Sequence, residues 1–246
     1  MSERIRLDLA MEQRGLVPSR ARARDAILRG TVTINGVTAH KQNQMVGKDD
    51  KLALSDPAAN YVSRAALKLV AGLEAGGIDP TGKTCIDVGA STGGFTQVLM
   101  ERGARRIYAV DVGHDQLHAR LKGSDRVVSM EGVNARDLDT EMVPEPIDLL
   151  VSDVSFVSVI KVLAAPLALC TPTADAIILF KPQFEVGRRN VGKGGIVTDE
   201  AAIDTALADV IAFMAEHRFA KSHAVTSPIA GGDGNVETVL VFARTN

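Results

Sequence analysis

The chain has 246 residues, 46% of them apolar, with a formal charge of −2 and two cysteines. That length accommodates two modest domains, and no apolar run reaches the roughly 18 residues of a membrane span. The first eight residues, MSERIRLD, carry charges where an export signal needs an apolar core, and Cys85 and Cys170 stand apart among apolar neighbours without metal-ligand spacing, so a cytoplasmic protein with neither disulfide nor metal site is expected. The charge is unevenly spread: residues 1–56 carry ten Lys and Arg against seven Asp and Glu, a balance of +3, and the remainder carries −5.

Leu7, Ala10 and Met11 recur at helical spacing and Gly15 follows as a terminating glycine, which predicts a short first helix. Ser19 is placed to cap a second helix whose Ala23, Ala26 and Ile27 face inward and which Gly30 closes. Arg20, Arg22, Arg24 and Arg29 crowd that segment, with Arg20 and Arg24 on one face. Closely spaced arginines lacking counter-charges suit phosphate ligands, although a solvated face would give the same pattern. Thr31–Thr38 then alternates around Asn35-Gly36, the strongest short hairpin signal. From Gly47 to Asn60 the chain turns polar, and the domains are expected to divide there, 1–56 from 57–246.

A helix is expected from Tyr61 onward with Ala66, Leu69, Val70 and Leu73 on one side and Lys68, four residues after Arg64, on another. Cations at that spacing repel along an exposed helix, so they are either solvated or matched to an acidic or phosphate partner. Cys85–Phe95, CIDVGASTGGF, runs from a β-branched strand through a turn with Gly89, Gly93 and Gly94 into a helix. An ordinary turn needs one glycine; three at a strand's C-terminal end suit a ligand lying against free backbone N–H groups. The spacing is not the G-x-G-x-x-G of a dinucleotide loop. The next strand, Arg106–Asp111, ends in a carboxylate 22 residues after Gly89, able to accept from both ribose hydroxyls of NAD or of S-adenosylmethionine alike. Asp87 beside the turn separates the two, because a carboxylate repels a pyrophosphate and tolerates a ligand bearing ammonium and sulfonium groups. S-adenosylmethionine is therefore the expected cofactor.

Strands are expected at Arg126–Met130, at Ile147–Val154 with Asp153 near its end, and at Ala176–Pro182 carrying Lys181. An amphipathic helix through Ile203, Ala206, Leu207, Val210, Ile211 and Met214, capped by Thr198, precedes two last strands, His223–Thr226 and Thr238–Arg244, joined by a tight Gly231–Glu237 loop. These make seven strands of a Rossmann-like α/β sheet, preceded by a small α+β module. Lys68, Asp153, Lys181 and Glu237 all fall at one sheet edge. One lysine paired with one aspartate would be expected even in an inert protein, whereas two cations in one cluster can leave a lysine neutral to act as a base.

Arg6-Leu7-Asp8, Ser19-Arg20 and Gly30–Gly36, GTVTING, resemble the S4 RNA-binding domain. The resemblance implies that the arginine-bearing helix and the hairpin face structured RNA, with Arg6, Arg20, Arg24 and Lys41 as contacts. Over nearly the whole chain, YVSRAALKL (61–69), DVGASTGGFT (87–96), DVG (111–113), SDVSF (152–156), KPQFEVG (181–187), GKGG (192–195) and GNVE (234–237) resemble the TlyA family of ribosomal RNA ribose methyltransferases, and the second half resembles the FtsJ-type fold. That resemblance implies methyl transfer from S-adenosylmethionine to the ribose 2′-hydroxyl of a cytidine in rRNA, with the Lys-Asp-Lys-Glu catalytic tetrad on Lys68, Asp153, Lys181 and Glu237. Lys181 is the expected base, oriented by Asp153; Lys68 steadies the developing alkoxide and Glu237 positions Lys68 or the ribose. The expected cofactor contacts are Asp87, Gly89, Ser91, Thr92, Gly93 and Asp111, with Asn134 near the adenine by resemblance alone. The expected partner is ribosomal RNA or a ribosomal subunit and no membrane; nothing in the sequence sets an oligomeric state. The competing readings are a non-catalytic rRNA-binding or ribosome-assembly factor, which an intact tetrad disfavours, and a membrane-lysing protein, since the family has also been named for haemolysis. The second lacks an amphipathic membrane face or export signal. A nucleotide oxidoreductase is weakest, for want of a pyrophosphate loop.

Overall fold

The computed structural model describes residues 4–229, 231 and 234–245, so residues 1–3 of the first module and Gly232 and Asp233 of the Gly231–Glu237 loop lie outside the described residues. The chain divides into two units, Met1–Asn60 and Tyr61–Asn246.

In the first unit β1 (Ile5–Arg6) leads into α1 (Leu7–Gln13) and α2 (Arg20–Leu28), followed by β2 (Val32–Ile34), β3 (Val37–Thr38), β4 (Met45–Val46) and β5 (Leu52–Leu54). Ser19 caps α2 by accepting from the Arg22 N–H at 3.4 Å, and the inward residues of both helices, Leu7, Ala10, Met11, Ala23, Ala26 and Ile27, share a core with Val32, Ala39 and Val46. Asn35 and Gly36 both adopt positive φ, 51° and 84°, as the two-residue turn between antiparallel β2 and β3 requires.

The second unit starts with α3 (Ala66–Gly76), then β6 (Thr84–Val88), α4 (Gly94–Glu101), β7 (Arg106–Asp111), α5 (Ala119–Lys122) and β8 (Val127–Glu131). It continues with β9 (Ile147–Ser152), α6 (Ala164–Ala168), β10 (Cys170–Phe180), α7 (Pro182–Glu185), α8 (Glu200–Glu216), β11 (Phe219–Thr226) and β12 (Thr238–Arg244). Seven strands form one sheet in the order β11-β12-β10-β9-β6-β7-β8. From β8 to β10 neighbouring strands run parallel, and β12 lies antiparallel to both β10 and β11. Central strands β6 and β9 are buried along nearly their whole length because both sheet faces are covered, one by a core around Ile86, Leu150 and Phe180, the other by Leu69, Leu99 and Ile177. The chain passes to opposite sides of β6 on entering β7 and β9, and in such sheets the crevice at this switch point takes the ligand.

Four local expectations need correction. The fifth strand starts at Cys170 and the sixth at Phe219, earlier than expected; the latter is an edge strand with outward side chains and so lacks a burial pattern. Asp199, not Thr198, caps α8, accepting from the Ala202 N–H at 3.1 Å. The helix after the linker starts at Ala66, because Tyr61–Ser63 form bends held by the Val62 N–H donating to Gln97 Oε1 at 2.8 Å. Lys68 is buried, 6% exposed, so of the two outcomes open to it the solvated one is excluded. Burial pushes both thiols, Cys85 and Cys170, up to about 12, so neither is reactive at neutral pH. Among the described residues no helix is long and apolar enough to cross a membrane.

Candidate active site

Strand register brings the tetrad together. Parallel pairing of Ile178 with Ser152 aligns the ends of β10 and β9, so Lys181 follows one strand as Asp153 follows the other. Antiparallel pairing of Phe180 with Thr238 sets Glu237 beside the same end, and the first turn of α3 supplies Lys68. The four side chains form a chain of ion pairs: Glu237 Oε2 lies 2.5 Å from Lys68 Nζ, which lies 3.5 Å from Asp153 Oδ2, and Asp153 Oδ1 lies 2.6 Å from Lys181 Nζ. Lys181 Nζ also donates to Ser155 Oγ at 2.8 Å and lies 6.0 Å from the centre of the Phe184 ring. Glu237, Lys181 and Lys68 are 2%, 5% and 6% exposed, a degree of burial that charged groups tolerate only when paired. The acidic partner left open for Lys68 is thus Asp153 with Glu237. Beyond the expected four, Ser155 joins the chain, and Asn235 braces the loop that carries Glu237: it accepts from the Val197 N–H at 3.0 Å and donates to the Gly195 carbonyl at 2.8 Å. Both lie inside motifs already singled out, SDVSF and GNVE, so the sequence did carry a signal for them.

A cleft of about 610 Å³ opens beside the tetrad at the switch point, within the range of a small-molecule site. Gly89, Ser91, Asp111, Asn134 and Asp153 line it; Asp87, Thr92 and Gly93 do not. Asp111 holds the turn in shape, Oδ2 accepting from the Ser91 N–H at 2.8 Å and Oδ1 from the Gly113 N–H at 2.7 Å. Each oxygen keeps acceptor capacity toward the cleft. Gly89, at φ 85°, passes so close to Val154 that a Cβ would sit 3.1 Å from its backbone, whereas a Cβ on Gly93 would run into Leu117 and Leu121. Gly93 is therefore a packing glycine. Asn134 Oδ1 caps the following 3₁₀ turn through the Arg136 N–H at 3.1 Å. Gln116, which the sequence reading passed over, lines the cleft and accepts from Ser91 Oγ at 3.2 Å; its loop is held by Glu131, whose Oε1 accepts from the Gln116 and Leu117 N–H groups at 2.6 and 2.9 Å.

Asp87 differs most from expectation. It is fully buried, and burial raises its pKa to about 7, against the lowering effect of the Thr96 hydroxyl that donates to Oδ2 at 2.7 Å. A group titrating near neutrality carries only part of a charge there, so the discrimination against a pyrophosphate falls to the cleft carboxylates Asp111 and Asp153 instead. Val88, Val110, Val112, Val133 and Ala135 supply an apolar wall fit for a purine. Apolar wall, two carboxylates and a close-approach glycine together fit S-adenosylmethionine.

In the first unit Arg6, Arg20 and Arg24 gather on one buried carboxylate, Asp8, at 2.9, 3.1 and 3.6 Å. The expectation of arginines without counter-charges is thereby corrected. Arg22 donates to the Ala58 carbonyl at 3.2 Å and Arg29 pairs with Asp25 at 3.1 Å and with Asp56, so these two serve the module's own structure. Lys41 is exposed.

Family models match the chain twice: an S4 domain over residues 5–52 and an FtsJ-like methyltransferase over residues 61–244. The chain is 41% identical over 241 residues to the 16S/23S rRNA (cytidine-2'-O)-methyltransferase TlyA of Mycobacterium tuberculosis, covering 98% of this chain and 90% of that protein. It is 38% identical over 239 residues to Hemolysin A of Brachyspira hyodysenteriae, covering 97% and 99%. A hemolysin-named structure from Streptococcus thermophilus superposes with a TM-score of 0.76 at 34% identity, over 100% of this chain and 90% of that one.

Proposed function

The chain belongs to the FtsJ-like methyltransferase family, in its TlyA branch with an S4 domain, and from that premise we propose that it methylates the ribose 2′-hydroxyl of cytidines in ribosomal RNA with S-adenosylmethionine as donor. The observation that carries the reading is the buried ion-pair chain Glu237–Lys68–Asp153–Lys181 set beside the cleft. The cofactor, when bound, supplies an electrophilic methyl group. A ribose hydroxyl is a poor nucleophile until its proton leaves, and Lys181 Nζ is the group placed to take it. With both lysines charged the four side chains sum to zero; with Lys181 neutral they sum to −1, so accepting the hydroxyl proton restores neutrality in a site nearly closed to water. Asp153 aims the Lys181 amine, and Lys68, anchored by Glu237, stabilises the oxygen as it gains charge.

Gly89, Ser91, Asp111 and Asn134 contact the cofactor in this reading, Asp111 through the ribose hydroxyls, while Asp87, Thr92 and Gly93 shape the turn from behind. Asp111→Ala removes those acceptors and unpairs the Ser91 and Gly113 N–H groups, so cofactor affinity should fall roughly tenfold or more in isothermal titration, on the usual scale of hydrogen bonds to a charged group. Unchanged affinity, or tighter binding of NAD, would refute the assignment.

Arg6, Arg20, Arg24 and Lys41 are the RNA contacts. Arg20→Ala with Arg24→Ala should weaken rRNA binding and flatten its logarithmic salt dependence by about one unit per lost phosphate contact, with cofactor affinity unchanged. Full rRNA affinity in that variant would remove both arginines from the interface. We place the protein in the cytoplasm with rRNA or a ribosomal subunit as its partner. The function itself is tested by mass mapping of ribose methyl groups on rRNA incubated with protein and S-adenosylmethionine: methyl on a base, or none, overturns it.

A further inference from the structure

Asp8, in the first turn of α1, is a fully buried charge. Its Oδ1 accepts from Arg6 Nε at 2.9 Å and from the Leu9 N–H at 3.1 Å; its Oδ2 accepts from the Arg6 and Arg20 guanidinium ends at 3.2 and 3.1 Å and lies 3.6 Å from Arg24 Nε. Burial opposes ionisation, but the hydrogen bonds and charges of Arg6 and Arg20 together outweigh it and bring the carboxyl down to about 2, so it is ionised throughout the neutral range. The three arginine side chains remain 41%, 44% and 49% exposed. Arg6 spends two of its five N–H donors on Asp8 and Arg20 one, and the carboxylate cancels one positive charge of three.

Resting on the reading of Arg6, Arg20 and Arg24 as RNA contacts, we propose that Asp8 is the positioning residue of a phosphate-binding tripod, holding the three guanidiniums in one fixed set for neighbouring backbone phosphates without touching the RNA itself. An untethered arginine loses rotamer freedom when it meets a phosphate; one tied down during folding has already lost it. The consequence runs against simple electrostatics. Neutralising Asp8 adds one positive charge to the face, which alone would tighten binding to a polyanion, whereas loss of the tether loosens it.

The test uses the full-length protein and 16S and 23S rRNA transcripts, with affinity measured across 50–200 mM salt, a span wide enough to define the slope. Asp8→Asn is expected to weaken binding several-fold and to flatten the salt dependence despite its extra positive charge. Side-chain NMR of the wild type is expected to show a slowly exchanging Nε–H signal for Arg6, which donates to Asp8, shifted away from those of free arginines and collapsing onto them in Asp8→Asn. A fast-exchanging, averaged Arg6 Nε–H signal in the folded wild type would overturn the tripod even if the variant does not fold. If Asp8→Asn binds as well as the parent or better while Arg20→Ala with Arg24→Ala is weakened, the tripod is wrong and the RNA contacts stand. If the arginine variant also binds normally, the contact reading fails first.

Discussion

Lys181→Ala should lower single-turnover methyl transfer to rRNA by ~10²-fold or more, the usual scale for a general base, with cofactor and RNA affinities close to the parent's. The affinities should hold because Lys181 does not line the cofactor cleft and belongs to the second unit, whereas Arg6, Arg20 and Arg24 belong to the first. Its removal leaves Asp153 Oδ1 with one cation fewer, but Lys68 still lies 3.5 Å from the other oxygen, so the fold should survive. Transfer at the parent rate would mean that another group accepts the hydroxyl proton. Asp153, whose Oδ1 lies 2.6 Å from Lys181 Nζ and which lines the cleft, would then be the first to test.

Lys68→Met should cost both turnover and stability. Lys68 sits between Asp153 and Glu237, and Glu237 is only 2% exposed, so deleting the ammonium strands Glu237 in a site with little water and leaves Asp153 paired with Lys181 alone. Breaking a buried pair in this way costs about 3–5 kcal/mol, and for a unit of this size that is a fall of roughly 10 °C in the melting temperature. The double change Lys68→Met with Glu237→Gln removes one charge of each sign; it should regain much of the lost stability without regaining turnover. The two sites share partners and so will not behave additively, which is why the double variant is informative. A double variant that is both stable and active would reduce Lys68 and Glu237 to structural ballast. A single variant that melts with the parent would mean that the ion-pair chain does not exist in solution.

The sequence alone determined whatever depends on near neighbours. The Ser19 cap of α2, the Asn35-Gly36 hairpin, the terminating Gly15 and the presence of the seven strands follow from caps, turn dihedrals and apolar period, which act over a few residues. The four tetrad residues were also legible, because each stands in a recognisable motif at the end of an element. Tertiary structure decided where charges find their partners. Helical spacing left Lys68 either solvated or matched to an acidic partner; only the register of β9, β10 and β12, set by Ile178 against Ser152 and Phe180 against Thr238, places Asp153 and Glu237 where they make its burial tolerable. Arg20 and Arg24 read as unopposed because their counter-ion, Asp8, lies on another helix. Asp87 read as a charge facing a ligand, and burial between strands moved its titration to about 7. A carboxylate's charge and a lysine's pairing are set by dielectric and distance in three dimensions, and an interaction that decays within a few ångströms depends on a register that apolar period along the chain does not specify.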